Sequence, residues 1–218
     1  RRVKRIERKA VSVLMLTMLM FSMLTLTIDV QLVKAEPRTW IVGNNRAADF
    51  KTIQEAINNA SEGDTIFVRK GTYYENVFVN KTVTLVGENK ETTIINGNRT
   101  GNVLYVIKDN VTISNFTVSG SRLDLWNACG LYVNSSSNVF VNNIIAENSL
   151  GICFDGVHNN NVSSNFIFKN SIGLYTTYSH NNIFERNNLT LNEAGSYSLG
   201  STNDILSENV ITENQKVG

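Results

Sequence analysis

The chain is short of the residues that carry most enzyme chemistry. Its 218 residues include two histidines, two cysteines and one proline, and only 18% are charged. The formal net charge of +1 argues against nucleic acid or a polybasic membrane surface as the main partner. With Pro37 as the single proline, the breaks between elements fall to glycine and asparagine. Low charge with abundant Asn, Ser, Thr and Gly is also a composition of disorder. Apolar residues recur regularly between the asparagines, however, and that argues for a packed chain.

What the chain has in excess is asparagine, 31 residues of it, and much of it is periodic. Asn143, Asn165, Asn187 and Asn209 are spaced by 22 residues, as are Asn148, Asn170, Asn192 and Asn214. Gly151, Gly173 and Gly195 keep the same interval. A repeat of about 22 residues is the mark of a solenoid, whose units bury their apolar faces only by stacking. Each unit holds three short β-type runs. Val139–Val141 is followed at the repeat interval by Asn161–Ser163, Ile183–Glu185 and Ile205–Ser207. The second run centres on Ile145, Ile167, Leu189 and Ile211, and the third follows the glycine, as in Ile152-Cys153-Phe154. This predicts an all-β fold, a right-handed parallel β-helix with three strands per coil. Stacked turn asparagines can then donate to one neighbouring coil and accept from the other, and they tolerate the left-handed turn conformation.

Three segments are expected. Residues 1–35 begin with a basic run, continue uncharged from Ala10 to Ile28, and end in Val33-Lys34-Ala35, the pattern of a secretory signal cleaved after Ala35 or of an N-terminal anchor. Either directs the chain out of the cytoplasm, to secretion or the cell envelope. Residues 36–102 form an N-terminal cap and irregular coils. Within them Thr39–Val42 reads as a strand and Asp49–Ala60 as an amphipathic helix with a Thr52-x-x-Glu55 capping pattern. That helix is placed across the open first coil. Residues 103–218 form the regular coils. The first residue is not Met and the last residues start another unit, so the chain reads as part of a longer protein.

The run Thr52-Ile53-Gln54-Glu55-Ala56-Ile57, then Gly63-Asp64-Thr65-Ile66-Phe67-Val68 and Gly71-Thr72-Tyr73-Tyr74, resembles the N-terminal cap of pectate-lyase-like β-helix proteins. The Asn-rich coils from Asn110 onward resemble the carbohydrate-binding and sugar-hydrolase (CASH) β-helix module, and the NosD family of periplasmic proteins linked to copper delivery. The resemblance implies the fold. It leaves activity open, because this scaffold hosts lyases, hydrolases, esterases and non-enzymes.

Sugar hydrolysis needs carboxylates that converge on one face. The acids of the coils, among them Asp155, Glu185 and Glu193, scatter over different register positions. No polygalacturonase, pectin esterase or lyase motif is found, and no acidic cluster supplies calcium ligands. Glu147 with Lys169, and Arg186 with Glu208, share columns and are expected to meet. His158 and His180 stack one coil apart and could share a copper or zinc ion, with Asp155 nearby. Period-two alternation sends Tyr132, Cys153, Tyr175 and Tyr197 outward in one column, with Tyr105 one coil earlier. Beside them the step from Asn115 to Asn143 is 28 residues, a six-residue insertion carrying Arg122, Asp124 and Trp126. Tyr and Trp faces stack on sugars while Arg and Asp bind their hydroxyls. Cys129 and Cys153 fall on neighbouring coils at different strand positions, which leaves both a disulfide and free thiols open. Eight Asn-x-Ser/Thr sequons are present, a number an Asn-rich chain approaches by chance.

The leading expectation is an exported, non-enzymatic β-helix domain that binds a polysaccharide or glycan or serves as a surface scaffold, without a cofactor. The alternatives are a polysaccharide lyase or hydrolase whose acids lie outside this stretch, and a copper-handling protein like NosD.

Overall fold

The computed structural model describes residues 9, 11–18, 36–123 and 128–216. The chain divides into two compact units, Arg1–Glu36 and Pro37–Gly218. In the first, residues 11–18 are helical. Among the described residues no helix is long and apolar enough to cross a membrane. The expected cleavage position after Ala35 lies outside the described residues.

The second unit is a right-handed parallel β-helix. Its described strands form three sheets of eight, seven and six strands, and each strand pairs with its equivalent one coil on. The expected columns are recovered: Val139–Val141 pairs with Asn161–Ser163, which pairs with Ile183–Glu185 and then Ile205–Ser207. Alternate residues point inward, and Phe116, Phe140, Phe154, Ile113, Leu131 and Ile145 are fully buried along the axis.

Asparagines hold the corners. The backbone N–H of Asn143 donates to Asn165 Oδ1 at 2.9 Å, and Asn143 Nδ2 donates to the same oxygen at 3.2 Å. Asn165 Nδ2 in turn donates back to the Phe140 carbonyl at 2.9 Å and onward to Asn187 Oδ1 at 3.1 Å. The 148–170–192–214 column repeats this pattern. A third ladder, Asn138–Asn160–Asn182–Asp204, was missed in the sequence although its spacing is legible there. Asp204 serves because the rung toward Asn182 needs only an acceptor.

The left-handed conformation lies elsewhere than expected. It belongs to the residue before each ladder position, as at Asn142 (φ 54), Glu147 (φ 57), Lys169 (φ 54), Arg186 (φ 52) and Leu191 (φ 55). That residue makes the bend, and its side chain type is free. The ladder asparagine follows and turns into the corner, where Asn143, Asn148, Asn165 and Asn170 are buried.

The cap helix runs over Ile53–Asn59, shorter than the expected Asp49–Ala60. Phe50 is drawn into a bridge with Val42, and the Asp49 carboxylate accepts from the Ile41 N–H at 2.9 Å, so the first residues extend the sheet edge. Thr52 caps the helix as expected, accepting from the Glu55 N–H at 3.2 Å. Glu75 adds a partner that local sequence could not show: its carboxylate accepts from the N–H groups of Ile53 and Gln54 at 2.9 and 3.0 Å. Ile53, Ala56 and Ile57 are fully buried and close the apolar interior at this end.

Asp64 fastens the first strand. Its carboxylate accepts from Arg38 N–H (2.8 Å), Ser61 N–H (2.8 Å) and the Trp40 indole (2.9 Å). Burial alone would raise this carboxyl, but these hydrogen bonds and the Arg38 charge outweigh it and hold its pKa below the ordinary value.

Two outcomes follow from the ladders and the cap. Asn165→Ala leaves the Asn143 N–H and the Phe140 carbonyl without their partners, and should lower stability in urea unfolding by about 2–4 kcal/mol. Asp64 releases its proton more readily folded than unfolded. Its contribution is therefore complete above the unfolded carboxylate value and lost as pH falls through the lower folded one. Urea midpoints measured from about pH 6 to pH 2 should drop less steeply in Asp64→Asn than in the parent chain.

Candidate functional site

The outer face of the six-stranded sheet brings the predicted aromatic residues together. Register aligns Tyr105, Tyr132, Cys153, Tyr175 and Tyr197 in one column, as expected. Tyr175 and Tyr197 stack face to face, 5.4 Å apart at 7°. Tyr105 and Tyr132 lie 5.1 Å apart at 44°. Phe78, which sequence reasoning missed, extends the column and sits 5.4 Å from Tyr105. Its signal was the outward position in Val77-Phe78-Val79, but the spacings Phe78 to Tyr105 and Tyr105 to Tyr132 exceed the 22-residue ruler.

Cys153 interrupts the tyrosines, and it is bonded to Cys129 in a disulfide. Both sulfur-bearing residues are buried. With Leu150 they form a small apolar cluster on the outside of the sheet, covered by Tyr132, Ile172 and Tyr175. The stacked glycines shape this strand: a Cβ at Gly173 would lie 2.6 Å from the Gly195 carbonyl oxygen, and one at Gly151 would collide with Gly173. Burial, with Asp155 and Tyr105 adding to it, raises the Tyr132 phenol above its usual pKa.

The insertion enters this face. Gly120–Ala128 joins the second and third strands of its coil, where residues 147–149 suffice in the next. The six extra residues are therefore as expected, but the coil step is 27 residues and not 28. Phe116, not Asn115, precedes Asn143 in the ladder, because Asn115 pairs with Asn142. Of the three predicted insertion residues, Arg122 donates its N–H to the Gly101 carbonyl at 3.1 Å. Asp124 and Trp126 lie outside the described residues.

Beside Tyr197 runs a groove of about 560 Å³, lined by Leu123 from the insertion and by Leu150, Ile172 and Ala194. Glu193 and Lys216 close one side, paired with each other at 2.6 Å. The expected column pair Arg186–Glu208 is replaced among the described residues by Arg186–Glu185 at 2.6 Å, an exposed pair worth little. Among the described residues no convergent set of acids appears on this face.

His158 and His180 stack as expected, 5.2 Å apart at 9°. His180 Nδ1 is engaged with Thr202, 3.2 Å from its N–H and 2.8 Å from its hydroxyl. Among the described residues no group of three or more His, Cys, Asp or Glu stands close enough to hold a metal ion. The cysteines are committed to their disulfide. Among the described residues the two imidazoles alone are fewer donors than a copper or calcium centre takes.

Comparison with known proteins places the chain. It is 34% identical over 104 residues to a cell surface glycoprotein of Methanothermus fervidus, a match that covers 44% of this chain and 17% of that protein. The chain thus spans a small part of that relative's length. Among solved structures, an alginate lyase from Paenibacillus sp. str. FPU-7 superposes with a TM-score of 0.53 and 16% identity, covering 81% of this chain and 75% of the other. A pectin methylesterase from carrot gives a TM-score of 0.48 at 16% identity, over 77% and 64% of the two chains. At such identity the likeness is one of fold. The family model described as periplasmic copper-binding protein (NosD) matches residues 57–218, and the chain belongs to the NosD family.

Proposed function

We propose that this β-helix is an extracytoplasmic module that binds a carbohydrate on the outer face of its six-stranded sheet, without itself catalysing a reaction. The observation that carries the reading is the flat Tyr175–Tyr197 stack beside the Leu150–Ile172–Ala194 groove. The two parallel rings cover each other's facing sides, so the stack presents its edges and the outer face of the more exposed Tyr197 to the C–H face of a sugar ring, while the phenol hydroxyls and the neighbouring Ser171 can meet sugar hydroxyls. Tyr132 lies two coil steps before Tyr175 in the same column, and Arg122, Asp124 and Trp126 belong to the adjoining insertion. The periplasmic description of the family and the cell-surface name of the relative support placement outside the cytoplasm. The alginate lyase that shares the fold is, by its name, a protein that acts on a polysaccharide. On a glycan array, Tyr175→Ala and Tyr197→Ala should each weaken the bound signals at least about tenfold. Signals absent from the parent chain, or equal in both variants, would remove this reading.

Copper handling is the second reading, favoured by the family's description and by the stacked imidazoles. His158 and His180 would be its donors, with any others supplied from outside the described residues. A calorimetric copper titration should then lose its binding heat in the His158→Ala/His180→Ala double variant, and an unchanged titration sinks the idea.

A further inference from the structure

The aromatic column continues past the tyrosine stack, and its far end has a depression of its own. Asn76, Phe78, Thr100, Asn102 and Tyr105 line a hollow of about 300 Å³ on the same outer face, in the first coils of this sheet. The strand register runs without a break from Phe78 through Tyr105, Tyr132, Cys153 and Tyr175 to Tyr197. Five coil steps at ~4.8 Å each put the two ends about 24 Å apart along the solenoid axis. Where neighbouring positions are both aromatic, ring centroids fall 5.1–5.4 Å apart, so the spacing is realised by the side chains themselves. The Cys129–Cys153 bridge stands between the two aromatic pairs.

We infer that Phe78 and Tyr105 form a second sugar subsite, and that the ligand is a linear, uncharged polysaccharide lying along the solenoid axis. This rests on the carbohydrate reading of the Tyr175–Tyr197 face. A sugar unit of an extended glycan advances by about one coil step, so a chain touching both ends holds about five or six units. The polar side chains of the hollow are neutral. Asn76 and Thr100 bond each other at 2.6 Å, and Asn76 Nδ2 donates to the Asn102 carbonyl at 2.6 Å, fixing amides and a hydroxyl at the rim. Among the described lining residues, neither depression offers the unpaired cation that a polyuronate would select. The described lining of the hollow carries no charge, and Lys216, the one cation lining the groove, is held by Glu193. Charge complementarity therefore favours a neutral chain over an acidic one such as alginate, the polymer in the name of the lyase that shares the fold.

The test is a calorimetric length series with oligosaccharides of two to seven units from β-glucan, β-mannan and chitin, beside oligogalacturonate and oligoalginate of equal length. A neutral series should bind about tenfold more tightly once it passes five units, as the second subsite engages. Phe78→Ala and Tyr105→Leu should remove that gain and leave the two- and three-unit affinities unchanged, while Tyr197→Ala weakens every length. Phe78 is partly exposed, and an unchanged melting temperature of each variant shows that the face is intact. Length-independent binding that only Tyr197→Ala weakens overturns the second subsite and leaves the carbohydrate reading standing. Binding confined to the acidic series overturns the neutral ligand. Absence of binding in every series, together with a silent glycan array, removes both readings.

Discussion

The structure depends on how a chain can bend three times per coil without abandoning its backbone donors. Each bend is made by a residue in the left-handed region, for which a non-glycine side chain costs roughly 1–2 kcal/mol. The N–H that follows the bend points along the axis, away from any strand carbonyl. An unpaired buried donor there would cost about 1–3 kcal/mol more. The asparagine of the next coil supplies the acceptor, and its amide nitrogen returns a hydrogen bond to the coil behind. Asn165 thereby serves Asn143, Phe140 and Asn187 together. Flat stacking of the strands follows, and with it the alignment of everything that points outward.

That alignment is what gives the exterior a chemistry. An outward side chain on one coil lies over its equivalent on the next, so one residue type repeated along a column makes a continuous surface. Tyr175 over Tyr197 makes a stacked aromatic pair, and His158 over His180 makes a stacked imidazole pair. The interior constrains only inward positions and corners. The outward columns are free to change, which is how one fold can host different functions.

The fold was largely legible because its rule is periodic. A 22-residue ruler places Phe154, Ile167 and Leu189 inside and Tyr175 and Tyr197 outside, and the structure agrees. The ruler failed where the period changes. Coils before Val139 step by other lengths, so Phe78 was not seen to share a column with Tyr105, and Asn115 was matched to Asn143 when its partner is Asn142. Features carried by the backbone or by distant partners were also out of reach. Left-handed Glu147, Lys169 and Leu191 have no side-chain signature, and Glu75 reaches the cap helix across 22 residues of chain. The disulfide needed the diagonal geometry of two strands, which spacing alone leaves undecided.

The position of that disulfide has a physical reason. In the coil that carries the insertion, the three ladder positions are Val111, Phe116 and Ser121, which receive no side-chain amide ladder from earlier coils. This coil is the junction between an N-terminal part without continuous asparagine ladders, closed by the cap helix, and a C-terminal part whose corners are laddered by asparagine. It also replaces a three-residue turn by the nine residues 120–128, and a longer turn fixes the incoming strand less firmly. Cys129 is the first residue of that incoming strand, and Cys153 belongs to the first coil whose corners carry all three asparagines. The bridge, with Leu150 beside it, ties the weakly laddered coil to the strongly laddered one. It occupies an outward slot that a tyrosine holds on either side, so the aromatic column is divided where the junction needs a covalent tie.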